Sequence, residues 1–154
     1  MIPISRLDPS LERLVKKIEK SKKDYVLFAI KQAEGIFKDR LFNDQGGRAK
    51  DGSLLPQYSK QYKTSNKYGK RKTASHWDLV ATGDLMGDIK TNIKKDTATL
   101  EFSSRDEINK ANDLEKRSGK AIFEFSKTEM REVIDETVKE VKRNIEKIVK
   151  ESFK

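Results

Sequence analysis

The chain contains no cysteine and a single histidine. Disulfides, thiolate metal sites and a cysteine nucleophile are thereby excluded, and one imidazole cannot make a zinc site built on several. Long apolar runs are missing too. No window approaches the roughly 18 apolar residues of a membrane span. The opening "MIPISRLDPSLERL" has no stretch resembling the core of a signal sequence. We therefore expect synthesis in a cytoplasm and no membrane partner. Hydrophobic residues make up 34% and charged residues 38%, so the core must be lean and partner subunits are expected to supply part of its burial. At 154 residues the chain fits one domain, 1–154, large enough to enclose a core of its own.

Charge is abundant but uneven. The net value is +9, and the segment from Asp44 to Ser75 holds eight cations (Arg48, Lys50, Lys60, Lys63, Lys67, Lys70, Arg71, Lys72) against two acids, Asp44 and Asp51. No apolar period survives there. We expect a long basic loop over 44–75, with a short helix around 59–67, mobile in the monomer and ordered on docking. Within it, "YSKQYKTSNKYGKRK" interleaves Tyr58, Tyr62 and Tyr68 with six cations and no acid. Cations for phosphates and rings for stacking are the chemistry of a nucleic-acid surface. The same composition suits a loop that orders against an acidic neighbouring subunit, and composition leaves the two readings even.

Both ends of the chain read as helices. Met130, Val133, Ile134, Val138, Val141, Ile145, Ile148, Val149 and Phe153 recur in steps of three and four, predicting a helix over 126–153. Ser126 and Glu129 form an S-x-x-E capping box at its start, and Phe125 and Met130 are spaced as a hydrophobic staple. Near the other end, Asp8 and Pro9 suit an N-cap and first helical position. Leu11, Leu14, Val15, Ile18, Tyr25, Ala29, Ala33, Ile36 and Phe37 follow at helical spacing. Unbroken to Phe42, that helix would be about 50 Å long, so a break near Ser21 is expected unless it projects from the body. Between the helices, Ile89, Thr91 and Ile93 alternate with polar residues. Ala98, Leu100 and Phe102 alternate with Thr97, Thr99 and Glu101. This predicts a β-hairpin at about 88–103. A short helix over 106–116, ending near Gly119, and a third strand near 121–125 complete an α+β fold. Long amphipathic helices would pack a small antiparallel sheet.

The stretch "SHWDLVATGDLMGDI" holds the only His and the only Trp. His76 as a general base would need an orienting partner, and no nucleophile elbow or phosphate-cradling loop accompanies it. A structural joint accounts for the stretch better. Trp77 is an anchor in a core or interface. Thr82 caps a helix, Gly83 permits its entry, and Leu85, Met86 and Ile89 face inward. The pairs Asp106–Glu107 and Asp135–Glu136 read as solvated salt-bridge ladders rather than metal ligands. No catalytic residue, metal or cofactor is assigned, and an enzyme is not expected.

"DGSLLPQYSKQYKTSNKYGK…DLVATGDLMGDI" resembles the tail-completion, or virion morphogenesis, proteins of tailed bacteriophages, including the minor tail protein Z-like group. The matching positions are Asp51, Gly52, Pro56, Tyr58, Ser59, Tyr62 and Lys63, then Asp78, Leu79, Thr82, Gly83, Leu85 and Ile89. Further on, Ala111, Gly119, Phe123, Phe125 and Ser126 fall in the family's order, so the resemblance spans about 40–153. It implies a structural virion protein, made in the host cytoplasm and placed at the head–tail junction as a tail-completion, neck or tail-terminator component. Its partners would be tail-tube, neck or portal-side proteins and copies of itself in an oligomeric ring. Lys60, Lys63, Lys67, Lys70, Arg71 and Lys72 would face either a neighbouring subunit or, without sequence preference, DNA in the lumen. The rival from another class is a free basic DNA- or RNA-binding protein.

Overall fold

The computed structural model describes residues 9–42, 46–64, 75–79, 83–94 and 97–152; of 9–12 and of 63–64 it describes the backbone alone. The elements are α1 (Pro9–Lys20), α2 (Lys22–Leu41), α3 (Lys60–Thr64), α4 (Asp84–Asp88), β1 (Ile89–Lys94), β2 (Thr97–Phe102), α5 (Arg105–Ser118) and α6 (Lys127–Ser152). The α+β architecture is the one expected.

The long N-terminal helix is interrupted at Ser21, as its length required. Ser21 donates its N–H to Ile18 at 3.1 Å and to Lys17 at 3.3 Å, and its hydroxyl to the Lys17 carbonyl at 3.2 Å. A serine bonding back onto the preceding turn tightens and bends a helix. Beyond this joint α2 lies along α6 and across both strands, while α1 meets the far end of α6. There Lys17 Nζ reaches Ser152 Oγ at 3.3 Å.

The hairpin pairs Ile89 with Phe102, Thr91 with Leu100 and Ile93 with Ala98, so one face is apolar apart from Thr91, and it is covered except at Ile93, which is 40% exposed. The opposite face pairs Lys90 with Glu101. Period two and a covered face thus agree. Leu100 joins both parts of the core. One part is the α2–α6 seam of Ile30, Ala33 and Val133. The other gathers Phe37, Leu41, Ala49, Leu55, Leu79, Leu85, Ile89, Ala111 and Ile122.

Four expectations are corrected. The sheet among the described residues has two strands; residues 121–125 form none, because other groups claim their backbone. Glu115 Oε1 accepts the N–H groups of Ile122 and Phe123 at 2.7 and 2.9 Å. Lys50 N–H takes the Ala121 carbonyl at 2.8 Å. Arg40 takes those of Ile122 and Glu124 at 3.0 and 2.8 Å. Five backbone groups of the segment are thereby held by partners outside any sheet.

The segment 46–59 is not a free loop. Gly47, Arg48 and Leu55 donate backbone N–H groups to Trp77, Arg40 and Gly47 at 2.7–2.9 Å, and Leu55 is 1% exposed. A Cβ on Gly47 would stand 2.4 Å from the Leu41 carbonyl oxygen, so the two backbones meet where only glycine fits. Met86 is turned outward, since α4 is five residues long and Leu85 alone of its side chains is buried. Finally, the apolar stripe of α6 is wider than the body it covers. Val133 and Ile148 are buried, but Met130, Ile134 and Val138 are 44%, 55% and 44% exposed. Val15 on α1 is likewise exposed.

Candidate functional site

The two segments that carry the resemblance, 51–63 and 78–89, meet in space. Asp51 opens the first with a tight turn: its carboxylate accepts from Ser53 N–H at 2.9 Å and Ser53 Oγ at 2.6 Å. These bonds hold it below the usual carboxylate range. Gly52 follows with φ at +82°, the left-handed conformation that glycine adopts freely. The chain then runs antiparallel to residues 75–77. Trp77 N–H donates to the Pro56 carbonyl at 2.9 Å and Tyr58 N–H to that of Ser75 at 3.2 Å. At the end of this short pairing the Tyr58 hydroxyl donates to Asp78 Oδ1 at 2.7 Å and accepts Asp78 N–H at 3.2 Å. Asp78 is buried, and burial followed by this carboxylate pushes the Tyr58 phenol well above its ordinary pKa. The Tyr62 ring, on α3, stacks on Tyr58 with centroids 4.3 Å apart, and Ser59 Oγ accepts Tyr62 N–H at 3.2 Å.

Leu79 is buried with φ at +56°, and Gly83 opens α4 with φ at +79°. Leu85 and Ile89 enter the core. Asp51, Gly52, Pro56, Tyr58, Tyr62, Asp78, Leu79, Gly83 and Leu85 are thus all members of one folded unit. Thr82, with the helix cap assigned to it, lies outside the described residues, as do Lys67, Lys70, Arg71 and Lys72. Lys60 and the backbone of Lys63 lie in α3. Arg48 and Lys50, two of the eight cations of the segment, are used within the protein. Arg48 Nη1 donates to the Gly52 carbonyl at 2.9 Å, and Lys50 pairs with Glu124 at 2.5 Å. His76 Nδ1 shares a hydrogen bond with Ser75 Oγ at 2.8 Å. Its Cβ covers Gly46, where an added Cβ would come within 2.7 Å. That is the packing of a joint.

A groove of about 360 Å³ lies between this unit and α5. The unit contributes Gln57, Tyr58, Tyr62 and Trp77, with Leu79 and Leu85. Helix α5 contributes Glu107, Lys110, Leu114 and Arg117, whose spacing of three and four puts them on one face. Trp77 is half-buried against the core, and the Arg117 guanidinium sits 5.7 Å from its ring centroid. Glu107 corrects the solvated-ladder expectation for Asp106–Glu107. Asp106 is exposed, but Glu107 is 7% exposed. Its Oε1 pairs with Lys110, and its Oε2 is buried without a hydrogen-bond partner among the described residues. Glu136, of the other pair, bonds Lys139 at 2.6 Å in the expected way.

Sequence reasoning passed over an extensive polar junction at Arg40. Arg40 Nε donates to Glu129 Oε1 at 2.6 Å, with both side chains about nine-tenths buried. Its remaining nitrogens reach the carbonyls of Arg48, Ile122 and Glu124 at 2.8–3.0 Å, and it lies 5.2 Å from the Phe37 ring centroid. This one guanidinium ties α2, the 46–55 turn and the 121–125 segment to the start of α6. An arginine in the last turn of a helix gives no sequence signal of such a role.

Comparison with protein-family models, with curated proteins and with solved structures finds no match for this chain.

Proposed function

We propose that this chain is a structural subunit of a tailed-phage particle, acting at the head–tail junction in tail completion, in the neck or as tail terminator, and assembling as an oligomeric ring. Its source is the resemblance over 40–153. The observation that carries it further is the ridge of Met130, Ile134 and Val138, one turn apart on α6 and about half exposed each. A lean-core protein that leaves three large apolar side chains in line outside its body presents a surface suited to another subunit. The motif residues support the same reading, since they serve as turns, core and the Tyr58–Asp78 bond. The free nucleic-acid-binding reading gains no specific observation from the described residues.

The test is assembly. Wild-type protein measured by native mass spectrometry and light scattering forms a closed oligomer or joins one on addition of tail-tube or neck proteins. Ile134→Asp and Val138→Asp keep the circular dichroism of the wild type and lose that assembly. A chain that stays monomeric with every such partner, and is absent from purified particles, overturns the reading.

A further inference from the structure

Beside the exposed ridge of Met130, Ile134 and Val138 runs a trough. It has two parts, of about 400 and 430 Å³, which share Lys50, Ser126 and Lys127. One part is walled by Phe125, Met130 and Ile134, with Arg131 and Asp135 at its side. The other runs back past Asp51 and Gly119 to Lys120. Four cations therefore line the trough, Lys50, Lys120, Lys127 and Arg131, against two acids, Asp51 and Asp135.

The acids are engaged, whereas three of the cations lack a carboxylate partner. Asp51 is bound by Ser53, and Asp135 helps to hold the proton on Lys139, one turn on. Lys50 is paired with Glu124. Lys120 donates to neutral oxygens, Ser53 Oγ at 2.8 Å and the Leu54 carbonyl at 2.7 Å, which fix its position, with Asp51 in its field. Lys127 and Arg131 are exposed and have no ion pair among the described residues. The first turn of α6 adds a partial charge of the same sign.

Apolar ridge and unpaired cations side by side select the occupant. A nucleic-acid strand would use the cations and leave Met130, Ile134 and Val138 with nothing to bury against. A second copy brings a chain of net charge +9, and face to face it sets Lys127 and Arg131 against their own kind. The ridge is also narrow. It is about 12 Å long and one helix, about 10 Å, across, on the order of 100 Å², whereas two globular subunits in a stable pair bury about 800 Å² each. A single helix laid in a groove, anchored by side chains three and four residues apart, matches that size.

We propose that the α6 ridge and its trough receive an acidic amphipathic helix of a different protein, its apolar side chains on Met130, Ile134 and Val138 and its carboxylates on Lys127, Arg131 and Lys120. The inference rests on the reading of the ridge as a partner surface and names the chemistry of that partner.

The test uses labelled helical peptides. The first carries leucines at every third and fourth position with glutamates between them; one twin has lysine for each glutamate, another serine for each leucine. Fluorescence anisotropy measures their binding, and that of a short DNA duplex, to the full-length protein, while native mass spectrometry follows its oligomer. The leucine–glutamate peptide should bind about tenfold or more tightly than either twin or the duplex. Lys127→Glu combined with Arg131→Glu should weaken it about tenfold or more and turn the preference towards the lysine twin. Both positions are exposed, so circular dichroism should not change. Lys147→Glu combined with Lys150→Glu, the same change of charge at the other end of α6, should weaken it about twofold or less.

Equal binding of the two charged peptides, or equal effects of the two double variants, overturns an acidic occupant. A serine twin that binds as well as its parent overturns the ridge as anchor. A duplex that binds more tightly through Lys127 and Arg131 overturns a protein occupant. A homo-oligomer that falls apart on the Lys127 and Arg131 change puts a second copy on the ridge, which overturns the proposal and leaves the ring reading standing. Selective binding of the leucine–glutamate peptide by a chain that never assembles sustains the proposal and sinks the ring.

Discussion

Helices α5 and α6 begin with the same four-residue pattern, Ser-x-x-Glu, and use it differently. At α6 the box closes: Ser126 Oγ accepts Glu129 N–H at 3.1 Å and Glu129 Oε2 accepts Ser126 N–H at 2.7 Å. At α5, Ser104 Oγ accepts Glu107 N–H at 3.1 Å, but Ser104 N–H goes to Asp88 Oδ2 at 2.9 Å. Asp88 arrives from the end of α4 and does the glutamate's capping work. Glu107 is released from the cap and turns into the groove. The two patterns are indistinguishable locally. A residue sixteen positions away decides whether the glutamate is a cap or a buried carboxylate facing a groove.

The largest expected difference lies between the two glutamates. Glu129→Gln removes the only carboxylate paired to the buried Arg40 guanidinium among the described residues, and should cost about 3–5 kcal/mol of unfolding free energy. Glu107→Gln removes a charge whose partner Lys110 is largely exposed, and should cost no more than about 1 kcal/mol. Urea denaturation of both variants checks the pair. Equal losses would mean that Arg40 and Glu129 are not the junction described here.

Next in size are the serines. Ser126→Ala and Ser104→Ala each remove a cap that accepts an N3 amide, and each should cost about 1 kcal/mol. Near-equality is the point: the serine halves of the two boxes are alike and the glutamate halves are not. A Ser104→Ala cost far below that of Ser126→Ala would show that Asp88 alone suffices to hold the start of α5.

These boxes also mark how far the sequence could be read. Local signals were legible. Ser126 and Glu129 announced α6, alternation announced the hairpin with its apolar face, and helix length forced the joint at Ser21. Gly119 closed α5 with φ at +67° as expected of a terminating glycine. What failed had one physical cause, the use of backbone or charge by partners far away in the chain. "AIFEF" has the composition of a strand, but Glu115, Lys50 and Arg40 hold its polar groups. Residues 46–59 have no apolar period, yet they bury Leu55 through bonds to Arg40 and Trp77. The α6 stripe gave the right period and face but could not show that the body behind it is narrower than the stripe. At the site, the resemblance singled out Tyr58 and Asp78, whereas the α5 wall of Glu107, Lys110 and Arg117 carried only the look of a solvated helix.

The smallest effect is visible only in acid, and it isolates the residue that makes the two boxes differ. Hydrogen bonds from Ser103 Oγ first, and then from Ser104 N–H, hold the Asp88 carboxyl below its ordinary range. An acid whose folded pKa is depressed binds fewer protons folded than unfolded. Its contribution is therefore complete above the unfolded value of about 4 and drains away as pH falls through the lower folded one. Asp88→Asn should leave stability near pH 7 little changed, because the amide oxygen can still accept Ser104 N–H. Its stability should then fall less steeply than the wild type's below about pH 4. The limb should flatten without vanishing, since Glu34, held low chiefly by Lys38, and Glu124, held low by Lys50, titrate in the same direction. Unfolding free energies measured across that acid range settle it. Superimposable limbs would mean that Asp88 does not carry the α5 cap, and Glu107 would then need another reason to be in the groove.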